Sequence, residues 1–275
     1  MTAALNTDAS ASPEFVVFYG VPWETYEGIL DALGEYHLRH TYDSGTLEMR
    51  GLLGGVTWED YLKLTDALAE YKLRHTYDRG TLEMMAPRKD HEWVAELLGR
   101  MVESMALAID VPIQSVGSTT LSAARAECGL QPDKSYYVAH EPQVRGKDHY
   151  DPAKDPPPDL VIEVDVTSCS VPRLPVFARI GVPEVWRHDG EQMRFYRLGR
   201  TGRYKEAQRS LAFAFIASGD ITRFLNRRHD ETEHSVVRAF VEWATRARET
   251  ASGPERHERK PPPLSRKRER GGLQP

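Results

Sequence analysis

Residues 21–50, VPWETYEGILDALGEYHLRHTYDSGTLEMR, recur 35 positions later as residues 56–85, VTWEDYLKLTDALAEYKLRHTYDRGTLEMM. A segment that repeats must build the same small unit twice, which constrains the first third of the chain more than any other feature. In the second copy Thr57 and Asp60 have capping-box spacing and open an amphipathic helix with Trp58, Tyr61, Leu62, Leu64 and Leu68 on its apolar side. LRHTYD and GTLEMM then flank a turn at Arg79 and Gly80, the pattern of a β-hairpin. Each copy therefore predicts an αββ unit, and two copies fall short of the three or so a solenoid core requires. Only the second copy runs on into APRKDHEWVAELLGRMVESMALAI, where Val94, Leu97, Leu98, Met101, Met105 and Ala108 recur at helical spacing. The second copy is expected to belong to the core, and the first to be an insertion or an edge decoration.

The segment PPPDLVIEVDVTSCS, residues 156–170, reads as a buried strand because Leu160, Ile162, Val164 and Val166 alternate along it. Its other face carries Asp159, Glu163 and Asp165. Buried carboxylates are costly unless they are paired, hydrogen-bonded or bound to a metal, so counter-charge must come from elsewhere in the chain. A solvated acidic sheet face is the alternative.

The other elements follow from local pattern. VPIQSVGSTTL predicts a strand, GLQPDKSYYVAH a turn and a strand with Asp133 at its start, and VPRLPVFARIGV a short helix with early prolines. PEVWRHDG and EQMRFYRL predict a hairpin turning at Asp189 and Gly190, RYKEAQRSLAFAF a further strand, and ITRFLNRR and HSVVRAFVEWATRARE closing helices. The sum is an α/β or α+β layered core. The divisions are a flexible N-terminus over 1–20, the first unit over 21–55, a main domain over 56–250, and a disordered basic tail over 251–275.

With 40% hydrophobic and 28% charged residues the 275-residue chain has the balance of a soluble globular protein. No apolar run approaches the roughly 18 residues of a membrane span, and the N-terminus lacks a signal-peptide pattern, so the expected location is cytoplasmic, with no membrane partner. Cys128 and Cys169 are too few for a disulfide framework or a zinc site, and the ten histidines show no HExxH spacing. A pairing of Cys169 with His188 or His140 as a thiol nucleophile is outweighed by an ordinary buried cysteine. Trp186 and Tyr196 read as core, and His40 and His75 as structural. The net charge of -5 gives no reason by itself to expect a nucleic-acid partner.

The sharpest constellation is Asp133 with Glu163 and Asp165, because hard divalent cations take oxygen ligands and two carboxylates on adjacent strands can present them. A cation there would polarise a phosphoryl oxygen and activate a water. The runs PPPDLVIEVDVTSCS and LPVFARIGVPEVWRHDG, with WEDY, TYDRGTLEMM, DHEWV, VGSTTL and LQPDKSYYV, resemble the Uma-two family of endonucleases over about residues 56 to 225. The resemblance implies a restriction-endonuclease-like fold, a mixed central sheet flanked by helices, and a PD-(D/E)XK type site. It places Asp133 and Glu163 as the magnesium (or manganese) ligands, with Glu92 on the preceding helix completing the set and Glu96 as second choice. The lysine expected two residues after the glutamate is Asp165 here. The resemblance assigns its role to Arg173, which keeps the charge but cannot act as a base, and leaves Asp165 as a further ligand or as the partner of Arg173. The implied activity is metal-dependent hydrolysis of phosphodiester bonds through a metal-activated water. The implied partner is nucleic acid, DNA first; a homo-oligomer is compatible with the chain. The rival reading is a catalytically inactive member of the same fold that binds DNA or protein.

Overall fold

The computed structural model describes residues 15–33, 40–44, 46–68, 74–85, 89–165 and 171–252. Residues 1–14 of the expected flexible start, the basic tail beyond residue 252, Val166 and Cys169 lie outside the described residues, while Phe15–Tyr19, at the end of that start, form a strand. The first unit comprises β1 (Phe15–Tyr19), α1 (Trp23–Leu33), β2 (His40–Asp43) and β3 (Thr46–Arg50). The second comprises β4 (Leu52–Gly54), α2 (Trp58–Ala67), β5 (Arg74–Asp78) and β6 (Thr81–Met85). Each therefore has a strand ahead of its helix that the αββ reading left out. Gly20 and Gly55 make the turn from that strand at φ 69° and 80°, a left-handed conformation that glycine adopts without strain. In α2 the cap forms as the sequence predicts, the Asp60 backbone N–H donating to Thr57 Oγ1 at 3.1 Å. Leu62, placed on the apolar side by spacing, is instead exposed.

Next come α3 (Lys89–Ala108), the short strands β7 (Gln114–Ser115), β8 (Leu121–Ala123) and β9 (Cys128–Leu130), and β10 (Lys134–Tyr137). The segment after β10 holds α4 (Glu141–Val144) and leads to β11 (Leu160–Val164). The chain closes with α5 (Arg173–Ile180), β12 (Glu184–His188), β13 (Met193–Leu198), β14 (Tyr204–Ala207), α6 (Ser218–Asn226) and α7 (Glu233–Ser252). The single strand expected from VPIQSVGSTTL is split between two sheets, because Gly117 at φ 57° turns the chain between β7 and β8.

The described residues form three sheets, ordered β1-β3-β2, β4-β6-β5-β9-β8 and β14-β13-β12-β11-β10-β7, in a mixed α+β architecture. In the six-stranded sheet only β11 and β12 run parallel, joined by the α5 crossover that such a pair requires. One face of that sheet buries Leu160, Ile162, Val164, Trp186 and Phe195 against α3, α6 and α7. The other face places Val161 and Val185 against Val176 and Phe177 of α5 and Leu130 of β9. Trp186 stacks on Phe195 with centroids 4.5 Å apart, so it is core as its spacing implies; its ring neighbour is Phe195 rather than Tyr196.

The second copy is divided in its allegiance. Its hairpin joins the core sheets through β5–β9 pairing, while Tyr61, Leu64 and Tyr77 share a cluster with Phe18, Ile29 and Leu33 of the first unit. The tetrapeptide His-Thr-Tyr-Asp occurs in both β2 and β5. In β2 it lies at a sheet edge, largely exposed, whereas in β5, between β6 and β9, its first three residues are buried.

Candidate active site

β10 and β11 pair antiparallel with Lys134 opposite Ile162, which puts Asp133 opposite Glu163 on the same sheet face. Both carboxylates are buried, at 4% and 6% exposure. At these depths each needs a partner for every oxygen, and each has one. Asp133 Oδ1 forms an ion pair with Arg74 of β5. Its Oδ2 accepts the Val164 backbone N–H at 2.6 Å and lies 3.2 Å from His91 Nε2. Glu163 Oε2 is 2.7 Å from Arg173 Nε, and its Oε1 accepts from the same guanidinium at 3.1 Å. Arg173 also donates to Thr76 Oγ1 at 3.0 Å and to the Gln131 carbonyl at 2.6 Å, tying α5, β5 and the approach to β10 together. Arg74 donates to Glu92 Oε1 at 3.0 Å, which brings Glu92 to the rim of the cluster.

The electrostatics follow from this crowding. Burial pushes Glu163 up, Arg173 pulls it back and the Asp133 charge pushes again, leaving it at about 7. Burial also opposes the charge on Asp133, but His91 and Arg74 outweigh it and hold its carboxyl below the usual range. His91 loses by burial and gains more from Asp133 and Glu92, reaching about 9. Two arginines and a protonated histidine thus face three carboxyl groups.

Asp165, just past the end of β11, pairs with Arg187 of β12, at 3.1 Å from Nε and 2.5 Å from Nη2. Glu96 pairs with Lys134 at 2.6 Å on the exposed side of α3. Asp159 serves the approach to β11: its Oδ2 accepts the Val138 and His140 backbone N–H groups, both at 2.8 Å. Asp133, Glu163, Arg173 and Glu92 are therefore one cluster, and Asp165 with Arg187 stands beside it. Sequence reasoning missed Arg74, His91 and Arg187. The signal for the first two was the demand for counter-charge around a buried acidic pair; the motif DHEWV contained His91 without marking it. Among the described residues no group of three His, Cys, Asp or Glu side chains gathers as a metal cage. The donor chemistry that fits a hard cation is the carboxylate pair alone, which is what magnesium commonly takes from a protein beside water and phosphate oxygens.

A family model described as "Uma2: Putative restriction endonuclease" matches residues 58–222. A search of curated proteins gave no match. Among solved structures, one titled as a "putative nuclease belonging to DUF820" from Anabaena variabilis is similar at 15% identity and a TM-score of 0.43, covering 62% of this chain and 99% of that one. No helix among the described residues is long and apolar enough to cross a membrane.

Proposed function

Because the chain belongs to the Uma2 family of the restriction-endonuclease type, we propose that it is a metal-dependent nuclease that hydrolyses phosphodiester bonds of nucleic acid, with DNA as the first substrate to test. The observation that carries this reading is the facing pair Asp133 and Glu163, buried on neighbouring strands in the middle of the matched region. These two residues would hold magnesium or manganese, with Glu92 at the rim. Bound there, the cation supplies Lewis acidity toward a phosphoryl oxygen and acidifies water.

The chain's own residues prepare the pair. Arg173 fixes the Glu163 carboxylate through two contacts, so its role is to aim that carboxylate; four interactions leave it little freedom to follow a substrate. Arg74 and His91 keep Asp133 ionised in a buried place. Burial and the Asp133 charge raise the Glu163 carboxyl, so a cation bound there would join Arg173 in keeping it ionised.

The test is cleavage of single- and double-stranded DNA and RNA in magnesium or manganese, alongside titration calorimetry with each ion. Wild type is expected to cleave and to bind metal; Asp133→Ala and Glu163→Gln are expected to lose both, with rates down by at least about 100-fold. Absence of cleavage and of metal binding in the wild type sinks the reading. One observation favours a second reading, a non-catalytic nucleic-acid-binding module: every oxygen of the carboxylate pair already has a cationic or N–H partner. That reading predicts nucleic-acid binding that is indifferent to both ions.

A further inference from the structure

The strand registers extend the carboxylate pair into a row. Glu163 lies beside Arg187 in the parallel β11–β12 pair, and Arg187 lies opposite Arg194 in the β12–β13 pair. Asp133, Glu163, Arg187 and Arg194 therefore cross four strands on one sheet face, at the roughly 4.8 Å spacing of neighbouring strands. The arginines at this row differ in access. Arg74 and Arg173, the cations on the carboxylates, have side chains only 9% and 10% exposed. Arg187 and Arg194 are 39% and 41% exposed.

We propose that Arg187, held in place by Asp165, is the contact for the substrate phosphate next to the carboxylate pair, and that Arg194 contacts the following one. This assignment rests on the nuclease or binding reading above and gives the substrate a direction, from Asp133 toward the β14 edge. Asp165 engages Nε and Nη2 of Arg187, and the Tyr196 hydroxyl also interacts with the guanidinium, while the side chain stays 39% exposed to an incoming anion. A guanidinium anchored along one edge keeps its other edge aimed, so less side-chain freedom is lost on binding an anion. Arg194 is held more loosely, with Asp189 Oδ2 3.2 Å from Nε and Glu206 Oε2 3.9 Å from Nη1. Asp165 is thus a positioning residue. It fills the place expected of a cation, and it supplies one from the next strand.

The experiment is fluorescence anisotropy of labelled DNA oligonucleotides, single- and double-stranded, in EDTA to prevent cleavage, over a series of potassium chloride concentrations. Each lost phosphate contact lowers the slope of log K against log salt by about 0.7 for a single strand and 0.9 for a duplex. Arg187→Ala is expected to lower it by that amount and Arg187→Ala with Arg194→Ala by about twice as much. Arg187→Lys is expected to keep the slope, since it keeps the charge. Arg246→Ala, on the exposed side of α7, serves as the control and leaves it unchanged. Thermal melts of each variant verify folding; Arg187 is exposed enough for alanine to be accommodated. Wild-type binding with an unaltered slope in Arg187→Ala overturns this assignment and leaves the nuclease reading standing. Failure of the wild type to bind or cleave any oligonucleotide overturns both.

Discussion

Asp133 and Arg74 show how much of this site is held by individual charges. Removing one member of a buried ion pair leaves the other unmatched, which costs about 3–5 kcal/mol, whereas removing both together costs far less. Arg74→Met is expected to destabilise the fold by less than that, about 1–3 kcal/mol, because His91 and the Val164 N–H still face Asp133. Arg74→Met with Asp133→Asn is expected to cost clearly less than the sum of the single changes. Urea denaturation of the three variants checks the coupling, and simple additivity would contradict it. The sequence revealed the acidic half of this arrangement and, Arg173 apart, hid the basic half. A strand with alternating apolar residues exposes its carboxylates to a reader at once, because the anomaly is local. Arg74, His91 and Arg187 come from β5, α3 and β12, and no local pattern brings them to β11; tertiary packing alone does so.

At the scale of elements, β9 fits against α2 through a glycine. A Cβ at Gly129 would lie 2.5 Å from Tyr61 Oη and 3.2 Å from the Leu121 carbonyl. Gly129→Ala is expected to cost about 1–3 kcal/mol by overpacking. Among the described residues the buried Tyr61 hydroxyl has no hydrogen-bond partner, so Tyr61→Phe should be tolerated alone and should recover part of the loss in the double variant. Chemical denaturation of the four proteins measures this, and no recovery would mean that the Leu121 backbone sets the cost. Helices α2, α3, α5, α6 and α7 and the β12–β13 hairpin were legible from periodicity and turn residues. The split of residues 111–121 between two sheets was not, since a short strand carries too few residues to show which sheet it joins.

For the whole molecule, pH acts through histidines that folding treats in opposite ways. Burial holds His75 and His188 neutral, with pKa values lowered to about 3 and about 4. Unfolded, both protonate near 6.5, so the stability tied to their neutrality is present above 6.5 and is lost as pH falls toward 4. Glu163, raised to about 7, works the other way between 4.5 and 7, but it is one group against two. His91, raised to about 9, adds stability that is full below 6.5 and fades as pH rises through 9. The melting temperature should therefore fall on acidification from 6.5 to 4.5 and again as pH rises from about 6.5 to about 9, with His91→Gln flattening the alkaline fall. A midpoint that stays level from 6.5 to 4.5 would show that the two buried histidines do not govern acid stability. The paired His-Thr-Tyr-Asp segments carry one more consequence. Because His40 is exposed and His75 buried in otherwise identical neighbours, a histidine-directed acylating reagent should tag the first and spare the second, and unfolding should equalise the two rates. The ratio of the two tags is then an internal gauge of foldedness, a reference standard that the chain carries within itself.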